Sequence, residues 1–92
     1  MYNNLILAPY VLKHYEAKLN KYFFCNAQND SFWETDELTG SVVATLDGTL
    51  DCEGIVNVLQ ENRPDIPVNE LREHFQKTFE FLLKEGYICE YI

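Results

Sequence analysis

A chain of 92 residues with a formal net charge of −8 and 47% hydrophobic residues reads as one small domain, residues 1–92, with room for a single modest core. The acidic balance argues against nucleic-acid binding, which needs a basic face to neutralise phosphates, and no run approaches the ~20 apolar residues of a membrane span. Six Phe, six Tyr and one Trp bring the aromatic share to 14%, too much apolar surface for a disordered chain.

The opening Met1-Tyr2-Asn3-Asn4 lacks the basic flank of a signal peptide, and Leu5-Ile6-Leu7-Ala8 is too short for its apolar region, so a cytoplasmic location is expected. Pro9 to Ala17 mixes β-formers with polar residues and predicts a strand with Val11, Lys13 and Tyr15 on one face and Tyr10, Leu12 and His14 on the other. Lys18-Leu19-Asn20 is a short connection that favours an antiparallel neighbour. That neighbour is the aromatic run Lys21-Tyr22-Phe23-Phe24-Cys25-Asn26. Ala27-Gln28-Asn29-Asp30 is a turn signal, because Asn and Asp side chains close local turns, and Ser31-Phe32-Trp33-Glu34 resumes as strand.

Helical periodicity starts at residue 35. Thr35 reads as N-cap, Asp36 and Glu37 suit the positive end of the helix dipole, and Leu38, Val42, Val43 and Leu46 share one face. Gly40 and the β-branched Val42-Val43 lower its helix propensity, so packing must hold this helix, and Asp47-Gly48 is its predicted stop. A second helix is capped by Asp51, carries Ile55, Val56 and Leu59, and ends near Glu61-Asn62 before Pro64 and Pro67. The third has Asn69 as predicted N-cap, an inward face of Leu71, Phe75, Thr78, Phe79 and Leu82, and Gly86 as its stop. Tyr87 to Ile92 is a short final strand. The class is therefore α+β: a three-stranded antiparallel sheet, three helices and a short C-terminal strand, winged helix-turn-helix-like at its C-terminal end.

In this order and spacing the chain resembles the PqqD-like family, also called the RiPP recognition element (RiPPs are ribosomally made, post-translationally modified peptides). The resemblance runs from Pro9 to Ile92. It is carried by Phe23-Phe24-Cys25-Asn26, a polar turn and Phe32-Trp33; by Val42-Val43-Ala44-Thr45-Leu46-Asp47-Gly48, whose Leu-Asp-Gly is the most family-like tripeptide; by Glu53-Gly54-Ile55-Val56; and by Phe79-Glu80-Phe81-Leu82-Leu83-Lys84-Glu85-Gly86-Tyr87-Ile88. Gly54 and Trp33 depart from the family pattern. The resemblance implies a non-enzymatic domain that binds the leader region of a precursor peptide. The leader adds a strand to the sheet edge and leans on the third helix. The resemblance further implies a stand-alone peptide chaperone that presents the precursor to a separate modifying enzyme, commonly a radical S-adenosylmethionine enzyme, a cyclase or a leader protease.

Ser31 to Thr35 is the predicted open edge, with Phe32 and Trp33 on opposite faces, so one belongs to the core and the other is available to a groove. On the third helix Phe81 falls off the main apolar stripe beside His74 and Lys77. The candidate peptide-binding residues are thus Ser31, Phe32, Trp33, Glu34, Thr35, His74, Lys77, Thr78 and Phe81. Arg72, Lys77 and Lys84 either meet acidic leader side chains or balance Glu70, Glu73, Glu80 and Glu85. Cys25, Cys52 and Cys89 match no metal-ligand spacing and read as free thiols. His14 and His74 have no ligand-spaced partner, there is no phosphate-binding glycine loop, and no catalytic residue, metal or cofactor is expected. Three other readings stay open: a winged-helix DNA-binding regulator, opposed by the charge; an acyl-carrier-like protein built on Asp30-Ser31-Phe32, opposed by the strand context of that serine; and an unrelated protein-interaction module.

Overall fold

The computed structural model describes residues 4–91; the opening Met1-Tyr2-Asn3 and Ile92 at the end of the predicted last strand lie outside the described residues. The elements in chain order are β1 (Leu5–Leu7), β2 (Val11–Glu16), β3 (Lys21–Asn26), β4 (Ser31–Asp36), α1 (Glu37–Ala44), α2 (Cys52–Asn62), α3 (Val68–Lys84) and β5 (Ile88–Glu90). The α+β class expected from the sequence is the class found. β2, β3 and β4 form an antiparallel sheet in that order, with β3 central, and β1 pairs with β5 in a second, two-stranded sheet.

Both hairpins of the three-stranded sheet close in the same way. Each loop has four residues, and its last residue, Asn20 (φ 52°) or Asp30 (φ 56°), takes the left-handed conformation that Asn and Asp tolerate better than other side chains. Inward residues alternate along the strands, and Phe24 is fully buried at the centre. The core is one cluster in which Val11 and Phe24 from the sheet meet Val42 and Val43 of α1, Ile55, Val56 and Leu59 of α2, and Leu71, Phe75, Phe79 and Leu82 of α3. Gly40 is buried against β3, where a Cβ would overlap the Tyr22 side chain. The residue that weakens the propensity of α1 is the one that lets the helix sit this close.

The structure corrects several predicted boundaries. β4 runs on through Thr35 to Asp36, so the N-cap of α1 is the extended Asp36 and not Thr35. α1 stops at Ala44, well before Asp47-Gly48. The Thr45 hydroxyl turns back onto the Ser41 and Val42 carbonyls (3.1 and 3.0 Å), and the next residues pair with β1 instead: Leu7 N–H donates to the Leu46 carbonyl and Gly48 N–H to the Leu5 carbonyl. β1 itself is absent from the sequence reading. It lies between this segment and β5, with Leu5 fully buried. α3 starts two residues earlier than predicted, with Pro67 as N-cap, whose carbonyl accepts from Glu70 and Leu71, while Asn69 sits inside the first turn and accepts from Arg72. Asp51 caps α2 as predicted, accepting from Gly54 N–H at 2.8 Å.

The C-terminal end of α3 sets where Tyr87 sits. Gly86 (φ 81°) is left-handed, Tyr87 N–H donates to the Leu82 carbonyl at 2.9 Å and Gly86 N–H to the Leu83 carbonyl at 3.3 Å. These are the two bonds of a Schellman cap. The cap buries Tyr87 beneath the sheet, and Asn26, itself buried at the end of β3, donates from Nδ2 to the Glu85 carbonyl at 2.9 Å. Sheet and α3 are thereby tied together at this end.

Candidate functional site

The hydrogen-bond parity of the sheet decides which backbone groups of β4 are free. Tyr10 and Ala27 extend the β2–β3 register, and Ala27 N–H donates to the Tyr10 carbonyl, so in this ladder the bonded pairs are the alternate ones that include Leu12–Cys25 and His14–Phe23. Lys21, Phe23 and Cys25 therefore turn their backbone groups to β2. Tyr22, Phe24 and Asn26 turn theirs to β4, where they meet Thr35, Trp33 and Ser31. The N–H and C=O groups of Phe32 and Glu34 consequently point away from the sheet, along an edge that no other described strand occupies.

Beside this edge lies a cleft of about 410 Å³ lined by Trp33 and Thr35 of β4, Thr39 of α1, and His74, Lys77, Thr78 and Phe81 of α3. Its floor is aromatic. The Trp33 ring lies 5.3 Å from Phe24 in the core, 6.2 Å from Tyr87 and 6.4 Å from Phe81 (centroid to centroid), and Phe81 stacks on Tyr87 at 6.4 Å. Phe81 is still 42% exposed. The rim on the α3 side carries His74, set edge-on to Phe75 at 4.9 Å, and Lys77, whose ammonium is 3.9 Å from Glu73 and well exposed. Thr78 donates its hydroxyl to the His74 carbonyl at 3.1 Å.

Six of the nine predicted site residues thus share one cleft: Trp33, Thr35, His74, Lys77, Thr78 and Phe81. The other three do not face it. Ser31 points inward but its hydroxyl is engaged with that of Tyr87 at 2.8 Å. The side chains of Phe32 and Glu34 project from the opposite face of the sheet, because neighbours of Trp33 in a strand must; Phe32 is 62% exposed and stacks on Phe23 at 5.7 Å. Their backbones border the cleft and their side chains do not. The sequence reading missed Thr39 and Tyr87. Thr39 could have been found from the lack of any loop between β4 and α1, which places the first helical turn at the end of the edge. Tyr87 could have been found from its position one residue past the Gly86 cap, where an apolar side chain folds back on the helix.

A second cleft, of about 470 Å³, lies on the other flank of α3 against the start of α2 and includes Asp51, Cys52, Glu53, Arg72 and Phe79. It is crossed by a forked ion pair, Arg72 to Glu53 (3.0 and 3.2 Å). Burial, helped by neighbouring Asp51, pushes the Cys52 thiol up. Among the described residues, Cys25, Cys52 and Cys89 are free, no group of three or more His, Cys, Asp or Glu residues is placed to hold a metal ion, and no helix is long and apolar enough to cross a membrane.

No protein-family profile and no curated protein matches the chain. Solved structures do. TbiB1 in complex with the TbiA(beta) leader peptide superposes with a TM-score of 0.77 at 10% identity, covering 95% of this chain and 98% of that one. The heterocyclase TruD matches with a TM-score of 0.61 at 17% identity, over 96% of this chain and 11% of its own. A heterocyclase in complex with substrate and cofactor matches with a TM-score of 0.61 at 20% identity, over 98% of this chain and again 11% of its own. At these identities the likeness is one of fold: the chain has, nearly end to end, the fold of a protein solved with a leader peptide bound, and the fold of a small part of two much larger enzymes.

Proposed function

We propose that this chain binds the leader region of a ribosomally made precursor peptide by strand addition to β4 and presents it to a separate modifying enzyme in the cytoplasm during peptide natural-product maturation, performing no chemistry itself. The observation that carries this reading is the free edge of Phe32 and Glu34 running beside an aromatic cleft under α3. An extended peptide laid along β4 satisfies its own backbone on that edge and drops alternate side chains between Trp33 and Phe81, so backbone pairing supplies affinity and the cleft supplies selectivity. The fold shared with TbiB1, solved with a leader peptide, supports the ligand class. The fold shared with a ninth or so of two heterocyclases supports a partnership with a modifying enzyme, for which a radical S-adenosylmethionine enzyme and a cyclase are both suitable.

The parity of the edge gives a residue-level test. Synthetic peptides covering the N-terminal halves of short peptides encoded beside this chain are titrated into it while backbone amides are followed by NMR. Binding should shift and protect the Phe32 and Glu34 amides, leave the already bonded Trp33 and Thr35 amides protected as before, and change the fluorescence of Trp33, the only tryptophan in the chain. Absence of saturable binding by every such peptide, or new protection along β2 instead of β4, would overturn the assignment.

A further inference from the structure

Resting on the strand-addition reading, we infer that Phe32 and Glu34 select the bound strand on the face of the sheet away from the cleft, favouring an apolar residue opposite Phe32 and a basic residue opposite Glu34. Parity is the reason. Because the backbones of Phe32 and Glu34 face the free edge, an incoming antiparallel strand forms its bonded pairs with these two residues. Directly opposed residues of an antiparallel ladder share a face, so the residues opposite Phe32 and Glu34 project onto the outer face, and the residue between them enters the cleft at Trp33.

That outer face is not neutral ground. Phe32 is 62% exposed and Leu12, two strands away in the same row, 66%; between them lies half-buried Cys25, with Phe23 stacked diagonally on Phe32. An apolar side chain opposite Phe32 extends this row by one strand and covers the exposed ring. One turn of the pleat further along, Glu34 and Asp36 both stand on the same face; Lys21 across the strand approaches Glu34 only to 4.0 Å with both side chains about half exposed, while Asp36 also feels the Arg63 guanidinium. Glu34, held by one distant and exposed ammonium, keeps its position on the edge acidic. A basic residue there is attracted, and an acidic one meets a like charge directly across the ladder. The preferred segment, written from N- to C-terminus, therefore has a basic residue opposite Glu34, then an inward apolar residue at Trp33, then an apolar residue opposite Phe32.

The test uses a displayed library of random twelve-residue peptides selected on three forms of the chain: the natural sequence, Glu34→Lys and Phe32→Thr. Both substitutions fall on exposed or outward positions, and unchanged melting temperatures within a few degrees certify the fold. The natural chain should enrich the basic–apolar–apolar triplet. Glu34→Lys should replace the basic residue by an acidic one and keep the other two, and Phe32→Thr should erase only the last preference. Each mismatch should weaken a selected peptide by about two- to fivefold. If peptides are enriched with an inward apolar residue alone, and the same peptides emerge from all three forms, outward selection is refuted while strand addition stands. If no peptide is enriched by any form, both are refuted.

Discussion

Phe81→Ala removes the ring that forms the α3 wall of the cleft, and the structure separates its two costs. A Phe side chain presents about 200 Å², of which 42% remains accessible in the free chain. The exposed part, about 80 Å², is what a bound peptide can still cover. At about 25 cal/mol per Å² its complete burial contributes about 2 kcal/mol to binding, and half-coverage about 1 kcal/mol. Truncation should therefore raise Kd roughly five- to thirtyfold. The part already covered by Trp33 and Tyr87, about 120 Å², belongs to folding: its loss should cost about 3 kcal/mol, lowering the melting temperature by roughly 12–24 °C for a chain of this size. Calorimetry with the peptide at 25 °C, paired with thermal unfolding by circular dichroism, reads both. A Kd within twofold of the natural chain, measured on a variant shown to be folded at the assay temperature, would mean that the bound segment does not reach this wall and that the cleft has been misread.

Other consequences stem from the scaffold. Gly40→Ala forces a methyl into the Tyr22 side chain and should destabilise the chain by about 1–3 kcal/mol, read as a lowered urea midpoint at unchanged slope. Asn26→Ala leaves the Glu85 carbonyl and Gln28 N–H without a buried partner and should cost about 1–3 kcal/mol while loosening the α3 end, visible as faster amide exchange at Gly86 and Tyr87. The Thr49 hydroxyl and amide hold the Asp47 carboxyl below the usual carboxylate range, and Arg63 does the same for Asp65. A carboxyl depressed by folding stabilises above its unfolded value and loses that contribution as pH falls through the folded one, so stability should drop on going from about pH 5 to about pH 3. Asp47→Asn should flatten that part of the curve, and an unchanged profile would show the Thr49 contacts to be without consequence. Glu53→Gln weakens only an exposed ion pair with Arg72 and should shift stability by less than about 1 kcal/mol.

What was legible in the sequence was what local physics dictates. The aromatic, β-forming run Lys21–Asn26, the Asn and Asp turn residues, the Asp51 cap and the Gly86 stop each act within a few residues, and each holds in the structure. The cleft was legible for the same reason: on a 3.6-residue helix His74, Lys77, Thr78 and Phe81 fall on one face whatever packs opposite. The misreadings concern pairings at long sequence separation. Leu5-Ile6-Leu7 is a strand only because Ile88–Glu90 arrives beside it from the far end of the chain. Leu46-Asp47-Gly48 leaves the helix because β1 offers it a ladder, and no local pattern carries that information. Phe32 and Glu34 border the cleft through their backbones and not their side chains, because strand-edge membership belongs to the backbone, while face membership belongs to residue parity. A sequence stretch alone does not say which of two neighbours turns inward until the register with β3 is fixed.

The two open edges of the sheet carry different chemistry, and the difference bears on why β4 is the one to be read. By the same parity, β2 exposes the backbones of Lys13 and Tyr15. Lys13 sits on the inner face with its ammonium donated to the Ala44 carbonyl at the end of α1 (2.8 Å), and Tyr15 packs on Tyr22 at 4.9 Å. A lysine at the middle of an edge strand is a common defence against stray strand pairing, since an added strand must accommodate its charge, and here the ammonium is committed to a helix end as well. β4 has no inward charge at its middle, its carboxylates lying on the outer face. Its inward residue at the corresponding position is Trp33, whose ring borders the 410 Å³ cleft and is not tied to a backbone partner. An edge with no inward charge and an exposed Phe is an aggregation liability unless the chain gains from keeping it open. Burying a lysine at that position, by Trp33→Lys, should therefore do two things at once: remove the floor of the cleft and give β4 the protection that β2 already has. The variant should show weaker peptide binding together with less self-association at high concentration, measured by light scattering. Loss of binding with undiminished self-association would place the sticky surface elsewhere, on the outer row of Leu12, Phe23 and Phe32, and would separate the edge from the face as sources of attraction.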